Sequence, residues 1–133
     1  MANVDLEVKV IKKFVNKLKR DRYIQFASSE KNRLKFVSDL SHYNFLELSL
    51  FSPVNGVEEK IIIQAAEANK VPHETCYAIS ENKEIDAQTL STKEAITKTV
   101  GRGLGTILVF GDAEMIFYEC ETPNVRYISK KVI

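Results

Sequence analysis

The stretch TILVFGDAEMIFYECETPNVRYI, residues 106–128, decides how this chain folds. It divides into three apolar runs, Thr106–Phe110, Met115–Glu121 and Val125–Ile128. The joins are Gly111-Asp112-Ala113-Glu114 and Thr122-Pro123-Asn124, and polar connections this short favour antiparallel hairpins over crossovers. The expectation is a three-strand meander at the C-terminal end, with Lys130 to Ile133 left as a tail.

Working outward, Ser91-Thr92-Lys93-Glu94 is a capping box, in which the Ser91 hydroxyl accepts from the amide three residues on. It opens a helix that ends at Gly101, where glycine takes the left-handed conformation cheaply. Thr75–Ser80 reads as a further strand. Val57 to about Asn69 reads as a helix, and Ile61, Ile62 and Ile63 in succession imply cover on more than one side. Residues Ser52 to Gly56 form a turn by composition, and Phe45–Phe51 alternates, with Leu46, Leu48 and Leu50 on one face of a predicted strand. That strand and Thr75–Ser80, separated by a helix, are compatible with a parallel crossover.

At the N-terminal end the spacing of Val4, Val8, Ile11, Val15, Leu18 and Arg22 predicts one amphipathic helix with a basic outer face. A second helix, capped by Ser28 or Ser29, turns Leu34, Val37 and Leu40 inward and ends between Ser41 and Asn44. The predicted order is therefore α-α-β-α-β-α-β-β-β. This is an α+β fold, with helices on one face of a roughly five-stranded mixed or antiparallel sheet. With 133 residues, 44% hydrophobic and 28% charged, the chain suits a single domain over 1–133, its αα-hairpin (about 4–42) packed on the sheet. No apolar run approaches the length of a membrane span, and Met1 to Asp5 lacks the apolar stretch of a secretory signal. Cys76 and Cys120 read as buried free thiols, and the expected location is cytoplasmic.

The net charge of +1 conceals a split: residues 1–35 hold ten Lys/Arg against four acids, and the remainder nine against fourteen. Lys12, Lys13, Lys17, Lys19, Arg20, Arg22, Lys31, Arg33 and Lys35 form the candidate binding patch, with Tyr23 and Phe26 near enough to stack on a base. The same pattern also describes a solvated helix surface or a basic layer lying on an acidic body. Gly101-Arg102-Gly103-Leu104-Gly105 leaves a helix C-terminus and enters a strand, the wrong electrical end for a phosphate loop. Arg102 is retained there as a possible anion contact.

Little else carries chemistry. Cys76, Cys120, His73 and His42 are the residues from which a zinc site or a thiol–base pair would have to come, without the paired spacing that zinc favours. Ser28/Lys31 and Ser80/Lys83 have a serine–lysine spacing but none of the accompanying motifs. Alternation puts Glu119 and Glu121 on one face of their strand, and with Asp112 they suggest a divalent cation or, more simply, a solvated face.

The sequence thus points away from catalysis and toward a macromolecule-binding accessory or regulatory domain, antitoxin-like or adaptor-like, with a protein partner and no cofactor. Nucleic-acid binding through residues 9–35 is the alternative. A metal-dependent hydrolase using Asp112, Glu119 and Glu121 is the second. A homodimer through an apolar edge, either Phe45–Phe51 or the last strand, is a further possibility, with Lys130 and Lys131 as charges that oppose it.

Overall fold

The computed structural model describes residues 2–54, 59–122 and 125–133. Among them are five α-helices: α1 (Val4–Phe14), α2 (Lys17–Ala27), α3 (Arg33–Asp39), α4 (Glu59–Ala68) and α5 (Thr92–Thr99). Six strands accompany them: β1 (Phe51–Pro53), β2 (Thr75–Ser80), β3 (Thr89–Ser91), β4 (Thr106–Phe110), β5 (Met115–Glu119) and β6 (Arg126–Ser129). The expected turn residues Asn55 and Gly56, the helix start at Val57 and the join residues Pro123 and Asn124 lie outside the described residues.

The class is α+β, and the meander forms as read: β4 pairs with β5 and β5 with β6, all antiparallel. The sheet is one strand wider than expected. Its order is β1-β6-β5-β4-β2-β3 and each pairing is antiparallel, so no parallel crossover occurs among these strands. The last strand is interior, and the edges are β1 and β3, three residues each. Edges this short present few unpaired backbone groups to another chain, and Pro53 withholds an amide from one of them.

Helices cover both faces of the sheet, not one. Tyr77, Ile79, Ile107, Val109, Ile116 and Tyr118 face α1, α2 and α3. The alternate residues Cys76, Ala78, Leu108, Phe110, Met115 and Phe117 face α4 and α5. Every residue of β4 and β5 is buried as a result. The continuous apolar runs of these strands were the visible sign, because a strand with one wet face alternates.

The N-terminal segment is three helices instead of a hairpin. The predicted continuous helix breaks at Val15, which is extended (φ −90°, ψ 140°). There Val15 bridges to Leu46, the Asn16 amide donates to the Phe45 carbonyl at 2.9 Å, and the Glu47 amide donates to Phe14 at 2.8 Å. Asn16 then caps α2, its side chain accepting from the Lys19 amide at 3.2 Å. The same contacts explain why Phe45–Phe51 is no strand: Tyr43–Phe45 and Leu48–Leu50 coil into 3-10 turns around this crossing, and only Phe51 joins the sheet. Breaking the helix resets its phase. Leu18, on the inward stripe of the unbroken helix, is 95% exposed, and Leu34 of α3 is 65% exposed while Phe36 packs inward in its place.

The two thiols are buried on opposite faces of the sheet, which bars a Cys76–Cys120 bond or a shared metal. Burial pushes the Cys76 thiol up to about 12. Iodoacetamide at pH 8 is therefore expected to leave Cys76 unmodified in the native protein and to alkylate it fully in urea. Peptide mass spectrometry reads both states, and native labelling at the unfolded rate would contradict this placement.

A candidate macromolecule-binding face

The nine candidate cations of the N-terminal segment divide into those committed inside the molecule and those that are not. Arg33 belongs to the first group. Its guanidinium is 11% exposed and binds Glu7, which is fully buried, through Nε and Nη2 at 2.8–3.2 Å, and Asp86 through Nη1 and Nη2 at 2.7 and 2.9 Å. The Tyr77 hydroxyl completes the cluster by donating to Glu7 at 2.6 Å, and Asp86 accepts the Ser80 amide at 3.0 Å. These contacts tie α1, α3 and the β2–β3 connection together. Two acidic partners hold the guanidinium well above its ordinary pKa, the hydrogen bond to Asp86 being the largest influence.

Lys13 donates to the carbonyls of Ala113 and Val132, fastening the C-terminal residues to α1. Arg20 places Nε and Nη2 on the Val15 carbonyl at 3.2 and 2.9 Å, closing the end of α1. Lys19 reaches the Asn44 side chain at 3.4 Å. Outside the candidate set, Lys9 pairs with Asp112 at 2.7 Å, and this lowers the pKa of the exposed carboxyl.

The second group is Lys12, Lys17, Arg22, Lys31 and Lys35, which form no ion pair among the described residues. Four of the five lie on α2, on α3 or in the turn between them. Leu18, Arg22 and Phe26 succeed one another at i+4 along α2, so they share a face. Arg22 and Lys35 stand over the Phe26 ring at 5.4 and 5.7 Å from its centroid. This ring is occupied by the protein's own cations. Tyr23, the other residue expected to stack on a base, is buried and donates its hydroxyl to Asp39 at 2.9 Å. The exposed surface is thus cationic and aliphatic, with no open aromatic platform among the residues expected to supply one.

The remaining candidates are dispersed. The glycine loop after α5 does hold anions, but they are the chain's own carboxylates. The Gly101 amide donates to Glu119 at 3.1 Å and the Gly105 amide to Glu81 at 2.8 Å, while the Arg102 side chain extends from an exposed position. Glu119 is not on a solvated face. It is buried opposite Arg126 in the β5–β6 register and accepts from its Nε at 2.5 Å. Burial pushes the Glu119 carboxyl up, and Arg126 and the loop amides draw it back toward its ordinary value. Glu121 lies past the strand end, exposed and 3.8 Å from His42. Asp112 sits in the β4–β5 turn, separated from Glu119 by the length of β5, about 13 Å at the usual rise per residue. The three carboxylates are not brought together. Among the described residues, no cluster of three or more His, Cys, Asp or Glu is placed to hold a metal ion.

Sequence reasoning missed Glu7 and Asp86 as partners of Arg33, and Tyr77 as the donor to Glu7. One signal was available: Glu7 falls between Val4, Val8 and Ile11 on the inward side of the first helix, where an acid needs a buried cation. No protein-family model, curated protein or solved structure matches this chain. No helix of the described residues is long and apolar enough to cross a membrane.

Proposed function

We propose that this domain is a non-catalytic binding module of the cytoplasm that engages an acidic protein partner through its α2–α3 face. The observation that supports this reading is that Leu18, 95% exposed, shares its helix with Lys17 and Arg22, which have no carboxylate partner among the described residues. An aliphatic side chain in water contributes nothing to folding, and covering it by a partner would bury its apolar area beside an arginine, a residue enriched at interfaces. A phosphate backbone would use the cations and leave Leu18 idle. A strand of bases would need the ring that Arg22 and Lys35 cover.

The test places a photo-activated benzophenone side chain at Leu18 in cells of the source organism, with exposed Glu94 on α5 as the control position. One discrete protein adduct is expected from Leu18, lost when Arg22 and Lys35 are both changed to Glu. An adduct that nuclease removes transfers the surface to nucleic acid, whose binding would then weaken steeply with salt. No adduct, or the same adducts from Glu94, overturns the proposal.

A further inference from the structure

Phe26, near the end of α2, has two cations over its ring, and they come from different helices. Arg22 of α2 stands 5.4 Å from the ring centroid and Lys35 of α3 stands 5.7 Å from it. The ring itself is held, because Phe26 packs against the core on the α1–α3 side of the sheet. Asp21, Glu30 and Asp39 lie in the same two helices and the turn between them, yet none forms an ion pair with either cation among the described residues. Asp39 accepts the Tyr23 hydroxyl instead. A ring face attracts a cation but does not neutralise it, so both charges keep their affinity for a carboxylate. Gathered around one ring they also repel each other, and an anion bound beside them relieves that repulsion. A long side chain free in water gives up rotamer freedom when a partner grips it, and one already resting on a ring has given up part of it beforehand.

We propose that Phe26 is the positioning residue of the interface, holding Arg22 and Lys35 ready for carboxylates of the acidic partner. The inference rests on the interface reading above and names what that face recognises. Leu18 precedes Arg22 by one turn of α2, a rise of about 6 Å. A matching segment therefore carries an acid and an apolar residue one helical turn apart, or two positions apart on a strand. A phosphate backbone offers anions at every step and nothing apolar for Leu18.

The test selects random 16-residue peptides displayed on phage against the intact domain, then measures those of micromolar or tighter affinity by fluorescence anisotropy. Sequences in which Asp or Glu stands two to four positions from Leu, Ile, Met or Phe are expected to be enriched. Arg22→Ala and Lys35→Ala should each weaken these peptides at least fivefold. Phe26→Leu should weaken them as much while both cations are present, whereas Phe26→Tyr retains binding. In a protein already carrying Arg22→Ala and Lys35→Ala, Phe26→Leu should add no further loss, because the ring acts through the two cations. A ring that only supported the fold would weaken binding equally in both backgrounds, and circular dichroism follows the fold of every variant. Equal losses in both backgrounds, no acidic–apolar enrichment, or peptides indifferent to Arg22→Ala and Lys35→Ala overturn the proposal. The two readings fail separately: if Arg22→Glu with Lys35→Glu removes the Leu18 adduct but Phe26→Leu leaves it at full yield, the positioning role is excluded and the interface stands. If no adduct forms even in the parent, both are lost.

Discussion

Replacing Arg33 with Met is expected to lower the unfolding free energy by about 3–5 kcal/mol, the loss that follows when one partner of a buried ion pair is removed. The reason lies in what remains. Glu7 is wholly buried between α1 and the sheet, and without the guanidinium its carboxylate keeps only the Tyr77 hydroxyl. Asp86 loses its cation as well. Arg33→Lys should recover little, because one ammonium cannot reproduce a planar fork shared by two carboxylates. Changing Glu7 to Gln together with Arg33→Met should cost less than the two separate losses added, since the neutral amide no longer needs the missing charge. Urea unfolding followed by circular dichroism measures each variant. An Arg33→Met protein within about 1 kcal/mol of the parent would show that the cluster contributes at the level of a surface pair.

Gly105→Ala is the second large effect expected, at about 3 kcal/mol or more, the upper end of what overpacking costs. A methyl group at this position would overlap the Leu40 carbonyl carbon and oxygen and approach the Ser41 amide nitrogen to 2.6 Å. These are backbone atoms, so no rotamer change relieves the clash. The end of α3 is pinned there from the other side too: the Tyr118 hydroxyl donates to the Leu40 carbonyl at 2.5 Å, and the Glu121 amide donates to Ser41 at 3.1 Å. Gly101→Ala provides the contrast in the same loop. Gly101 has φ +79° and open space around it, so the loss is only the left-handed strain of about 1–2 kcal/mol. Thermal and urea denaturation of the two variants should separate them clearly. Equal losses would mean that the loop moves away from α3 at little cost.

Some of this molecule was legible because its causes are local. The meander followed from apolar runs broken by short polar joins, and α5 from a capping box whose Ser91 oxygen does accept the Glu94 amide, at 3.2 Å. The burial of Cys76 and Cys120 followed from the apolar runs that carry them. The binding face was only half legible, since charge can be counted along a chain but its internal partners cannot. Lys12, Lys17, Arg22, Lys31 and Lys35 have no carboxylate partner among the described residues, whereas Arg33 was drawn inside by residues 26 and 53 positions away.

The sequence by itself determined the α+β class, the antiparallel C-terminal strands and the excess of positive charge on the first 35 residues. Only the tertiary structure decided that α1 stops at Val15, that Leu18 faces water, and that Glu119 meets Arg126 instead of solvent. The physical division is between interactions that close within a turn or two of chain and those that require a distant partner. Helical periodicity continues smoothly through Val15, and only the crossing of residues 45–47 makes breaking it favourable.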